Sequence, residues 1–138
     1  MVQSTVEKYE AQIVGQNFES AIIITPDGKV QQVDGDGATV EPRKAGDLKG
    51  AIVTHNHPAE ETEYSFSTED LRLFEEAELK QLRGVDHKYT YLLERDAGRE
   101  TVIPDDKIDF SVDDIYQHYK TAKAAKEKGY FYERKPRK

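Results

Sequence analysis

The chain contains no cysteine. That excludes disulfide cross-links and any cysteine nucleophile; it leaves the compartment open, with the cytoplasm as the simplest expectation. No apolar run reaches the roughly 18 residues of a membrane-spanning helix, so no membrane span is expected. The first residues lack a basic stretch followed by an apolar core, so no secretory signal is expected either. Internal repeats and low-complexity segments are missing. At 138 residues a single domain is the default, with its aliphatic residues gathered in a few short runs.

Acidic residues are scarce near the C-terminus, although the whole chain carries a net charge of −7. From Gln117 onward, Lys120, Lys123, Lys126, Lys128, Arg134, Lys135, Arg137 and Lys138 stand against Glu127 and Glu133. The basic residues of 130–138 read as a solvated tail beyond a domain of residues 1–129, with Tyr130-Phe131-Tyr132 docking the helix end onto the core. The remainder is correspondingly acidic, most visibly at Glu60, Glu61 and Glu63. A negative rim there would repel a phosphate backbone, so nucleic acid is not expected at that place. Oligomeric state is not legible.

Hydrophobic patterning gives the elements. Ser4–Val14 reads as an amphipathic helix with Val6, Tyr9 and Ile13 on one side. Phe18–Thr25 and Lys29–Val33 read as a hairpin around Pro26-Asp27-Gly28, and Ala51–Thr54 as a short buried strand. A helix is expected over Thr68–Leu82, carrying Leu71, Leu73, Phe74 and Ala77 and stopped at Gly84. Lys88–Glu94 and Glu100–Ile103 read as a second hairpin. A last helix runs from a Ser111 cap to Lys128, with Ile115, Tyr119 and Ala122 on one face, and Gly129 ends it. Strands on both sides of a central helix imply an α/β fold, a single-domain mixed β-sheet flanked by helices.

The chemistry concentrates in Thr54-His55-Asn56-His57-Pro58 and in Ser67-Thr68-Glu69-Asp70. Residues two apart on an extended chain point to the same face, so His55 and His57 project together while Asn56 points away. Pro58 lacks an amide proton and stops the strand. Asp70 falls in the first turn of the next helix and can supply a third ligand. Two imidazoles and a carboxylate suit zinc, and three protein ligands leave the fourth position for water, which zinc makes acidic enough to ionise near pH ~7. A nearby carboxylate must then shuttle protons; Glu19, which opens the β-prone run Glu19–Thr25, is the candidate.

Blander readings compete at each position. Ser67-x-x-Asp70 is also a helix cap, and the same spacing recurs at Ser111-x-x-Asp114 with no histidine pair beside it in sequence. Asp27, Asp34 and Asp36 sit among turn residues and suit turn chemistry. His87 and His118 read as surface or partly buried residues. The letters His-Asn-His do not indicate an HNH nuclease, whose three residues are dispersed over a hairpin and a helix.

Glu19, His55-x-His57-Pro58 and Ser67-x-x-Asp70 together resemble the signature of the JAB/MPN (JAMM) metalloprotease family. The wording His-Asn-His-Pro is similar to the RadC-type branch and to JAB-like domains of phage and mobile elements. The likeness spans residues 18–95. It implies a cytidine-deaminase-like α/β sandwich with one zinc ion held by His55, His57 and Asp70. Glu19 becomes the general acid/base, and Ser67 a stabiliser of the oxyanion. It implies hydrolysis of peptide or isopeptide bonds, with a polypeptide substrate such as an extended tail or the C-terminus of a ubiquitin-like protein. The chain departs from the pattern twice. The loop from His57 to Ser67 is longer than usual, so that Ser65 matches the family's gap and Ser67 its spacing to Asp70. The glycine-rich continuation after the family's Glu is missing. A non-catalytic binding or assembly module is the rival reading, and a metal-dependent nuclease a more distant one.

Overall fold

In a computed structural model of the chain, the residues described are 2–14, 16, 19–35, 46–56, 66, 68–86, 88–102 and 113–136. They form helices α1 (Val2–Ile13), α2 (Thr68–Glu76) and α3 (Asp113–Lys128). The strands are β1 (Ser20–Ile24), β2 (Val30–Asp34), β3 (Ile52–Asn56), β4 (Gln81–Val85), β5 (Tyr89–Glu94) and β6 (Phe131–Pro136). The strands make one sheet in the order β2-β1-β3-β4-β5-β6. β3 and β4 run parallel, and the other neighbouring pairs are antiparallel. The expected α/β fold with a mixed sheet is what the chain adopts.

Strand parity divides the core between two faces. On one face Ala21, Ile23, Val53, Leu82, Tyr91, Leu93 and Tyr132 pack with Leu73 and Phe74 of α2 and with Ala122 and Ala125 of α3. On the other, Ile22, Ile24 and Val85 meet Val6 and Ile13 of α1. Among the described residues no helix is long and apolar enough to cross a membrane.

Three expectations are corrected. The central helix stops at Glu76 rather than Leu82, and Gln81–Val85 is a buried strand in the middle of the sheet. The stop lies at Glu78, whose φ of 54° is left-handed. The amide of Leu79 donates to the Phe74 carbonyl at 3.2 Å and that of Glu78 to the Glu75 carbonyl at 3.3 Å. This is a Schellman end, with Phe74 and Leu79 supplying its apolar contact, both fully buried. Arg95 reinforces it by donating to the carbonyls of Phe74 and Leu79, each at 3.1 Å. Secondly, residues 100–102 form no return strand. Instead the Thr101 hydroxyl donates to the Tyr130 carbonyl at 2.9 Å and accepts from the Tyr132 amide at 2.8 Å. Thirdly, the expected tail is not separate from the domain. Phe131–Pro136 is an edge strand paired along β5 from Glu94↔Phe131 to Tyr89↔Pro136; Phe131 and Tyr132 are buried, as the expected docking of these aromatics on the core required.

Candidate metal centre

His55 reaches its place because Ile52–Asn56 is a central strand, paired on one side with β1 and on the other with β4. It stands opposite Ala21 and Gly84. Its ring lies on the face covered by α2. There Nε2 of His55 and Oδ2 of Asp70 are 3.6 Å apart, with the two side chains 6% and 22% exposed. The helix start that the sequence suggested for Asp70 is therefore the one that brings it to the histidine. Two donors bound to one tetrahedral zinc at ~2.1 Å stand about 3.4 Å apart. The His55–Asp70 separation suits a shared ion and is too long for a good hydrogen bond.

Glu19 precedes Ala21 by two residues, and Ala21 pairs with His55, so Glu19 continues the face on which His55 stands. Its side chain is buried. Its negative charge reaches the imidazole. Burial alone would push the His55 pKa down, but the charge of Asp70 and its polar contact with the ring act upward. The charge of Glu19 and a hydrogen bond to the Arg83 backbone add to this, and the net shift is upward. Two carboxylates thus place negative charge at the imidazole, as a cation site would need.

His57 and Ser67 lie outside the described residues, as do Glu60, Glu61 and Glu63 of the acidic loop, Ser65 and His87. Among the described residues no group of three or more His, Asp or Glu side chains is arranged to hold a metal ion. Of the five expected site residues, His55 and Asp70 stand side by side, and Glu19 lies near enough for its charge to act on the imidazole.

Residues that sequence reasoning missed complete the surroundings. Phe66 is fully buried, with its ring 6.2 Å from those of His55 and Tyr91 and 6.0 Å from that of Tyr132. It forms an apolar wall beside the imidazole, and it anchors the chain just before α2. Beyond it, Tyr91 donates to Oδ2 of the buried Asp86 at 3.1 Å, while the amides of Lys88 and Tyr89 donate to Oδ1 at 2.8 and 2.6 Å. Burial first, then the negative Asp86, hold the Tyr91 phenol far above its ordinary pKa. His118, expected to be a surface or partly buried residue, is half-buried, with Nδ1 2.7 Å from the Tyr132 hydroxyl.

The reverse face of the same strands is polar too, and tightly joined. Glu10 of α1, 1% exposed, accepts a two-pronged contact from Arg83, Nε to Oε2 at 2.7 Å and Nη2 to Oε1 at 3.0 Å. The Thr54 hydroxyl donates to the same carboxylate at 2.6 Å. One signal for Glu10 was present: it falls in the stripe Val6, Glu10, Ile13, at the spacing of a buried helix face.

Comparison of the chain with protein-family models, with curated proteins and with solved structures finds no match.

Proposed function

We propose that the chain is a zinc-dependent peptidase or isopeptidase of the JAB/MPN kind. The observation that carries this reading is the approach of His55 Nε2 to Asp70 Oδ2 at 3.6 Å, where the negative charge of the buried Glu19 also acts on the imidazole. His55, His57 and Asp70 would hold the ion. When bound, zinc supplies a Lewis acid for the scissile carbonyl and acidifies a water nucleophile. Glu19, a buried carboxylate whose charge acts on His55, would hold the proton lost by the attacking water and pass it to the leaving amine. Ser67 helps to hold the developing negative charge on the carbonyl oxygen. Phe66 gives the site a dry wall, which strengthens each electrostatic interaction inside it. The substrate is a polypeptide end or an isopeptide-linked tail.

A peptide-cleavage screen with the zinc-loaded protein, with and without a chelator, tests this reading. Cleavage that the chelator abolishes, and that Glu19→Gln lowers by about 100-fold or more while zinc remains bound, is expected of a proton-transfer group. Zinc binding without cleavage of any peptide or isopeptide would instead make the chain a binding module.

A further inference from the structure

Asn56, between the two histidines, is fully buried on the face of β3 opposite His55. A buried amide costs several kcal/mol unless it is hydrogen-bonded, and an apolar residue would serve a merely structural strand better. The use of this amide is specific. Its Oδ1 accepts the backbone N–H of Ser20 at 2.6 Å. The β1–β3 pairing ends at Ala21↔His55, and by the same register Ser20 stands opposite Asn56. The side-chain oxygen of Asn56 therefore extends the strand pairing by one residue.

The amide of Ser20 and the carbonyl of Glu19 belong to one peptide unit. That carbonyl accepts the amide of Gly35 at 2.7 Å, just past the end of β2. The Ser20 hydroxyl lies 2.8 Å from both Gln16 Oε1 and Asp34 Oδ1. The peptide plane that sets the direction of Glu19 is thus gripped from β2 on one side and by Asn56 on the other. The Asn56 grip comes from the residue next to His55, so the carboxylate and the imidazole share one rigid reference.

We propose that Asn56 is a positioning residue that fixes the Glu19 carboxylate relative to the metal ligands. This deepens the peptidase reading and rests on it for its consequence in catalysis. Asn56→Leu, of similar volume, removes the acceptor; Asn56→Asp keeps it; Asn56→Ala serves if the leucine variant does not fold. In the zinc-loaded protein, removing the acceptor should leave zinc content intact and KM within about twofold, yet lower kcat by about 10- to 100-fold. Asn56→Asp should recover most of that loss. In a Glu19→Gln background the Asn56 substitution should cost nothing further, because both act through one group. An unchanged kcat per zinc-loaded molecule, or a loss fully additive with Glu19→Gln, would overturn the proposal. If the wild-type protein cleaves nothing, the peptidase reading fails by itself. Crystal structures of the wild type and Asn56→Ala then decide: a Glu19 carboxylate displaced by about 1 Å or more supports the positioning role, and one left in place refutes it.

Discussion

The two faces of β3 hold their polar groups in opposite ways. Behind the strand, distances are short: Thr54 to Glu10 at 2.6 Å, Arg83 to Glu10 at 2.7 and 3.0 Å, and Ser20 to Asn56 at 2.6 Å. In front, His55 and Asp70 stand 3.6 Å apart, the imidazole buried and the carboxylate partly exposed. Burial makes polar groups costly unless they are joined, and the rear face obeys that rule closely. The front pair stands at the spacing of two ligands on one ion. Under the proposed function, the rear network is a rigid frame and the front a binding position. Both hang on the same five residues, because strand parity sends Thr54 and Asn56 one way and His55 the other.

The frame should be the most expensive part to break. Arg83→Ala leaves the Glu10 carboxylate buried beside Thr54 without its fork, and should lower the unfolding free energy by about 3–5 kcal/mol, read by urea denaturation. Replacing both partners, Glu10→Leu with Arg83→Met, should cost less than either single change, since no buried charge is then left over. A double-variant cost equal to the sum of the two single costs would mean that the pair does not act as a unit.

The front face should respond in ligand affinity more than in folding. Asp70→Ala should weaken zinc binding by more than about 100-fold, beyond the range typical of groups that merely support a ligand, while the metal-free protein keeps its fold. Zinc competition with a chromophoric chelator, beside circular dichroism, checks both halves.

The pH dependence sharpens the contrast. The His55 pKa lies above 6.5, so protonation of His55 favours the folded metal-free protein. That contribution is complete below the unfolded value near 6.5 and fades as pH rises through the folded value. Metal-free protein should thus lose thermal stability as pH is raised across that window. Zinc affinity should climb over the same window, because the ligand must be neutral. His55→Gln should flatten the first trend, as followed by thermal melts at a series of pH values.

Much of this was legible from the chain, and the failures have physical causes. The histidine strand, the start of α2 and the hairpin of β1 with β2 were readable, because β-branched runs, caps and a Pro-Asp-Gly turn leave local signals. The two helix ends show where such signals stop. α3 ends at Gly129, whose φ of 79° is where glycine belongs, and the end was read correctly. α2 ends by the same hydrogen-bonding pattern at Glu78, a residue with no sign of a left-handed turn, and Leu82 matched the helical spacing closely enough to hide β4. The lysine- and arginine-rich end was mistaken for a tail because an edge strand is protected from further pairing by charge and proline, the same composition that marks solvated termini. Arg83 could not be found, since its partner lies 73 positions away. The smallest effect expected here follows from α2. Glu78→Gly relieves a left-handed φ at some cost in chain entropy and should stabilise by about 0.5–1 kcal/mol, measured by the urea midpoint.

The central claim, that His55, His57 and Asp70 surround a cation, is tested most directly by titrating zinc into the metal-free wild-type protein and into His57→Ala and Asp70→Ala in a calorimeter. One ion per chain for the wild type, with that uptake lost in both variants, is the predicted result. Equal zinc uptake by all three proteins, or none by the wild type, would contradict it.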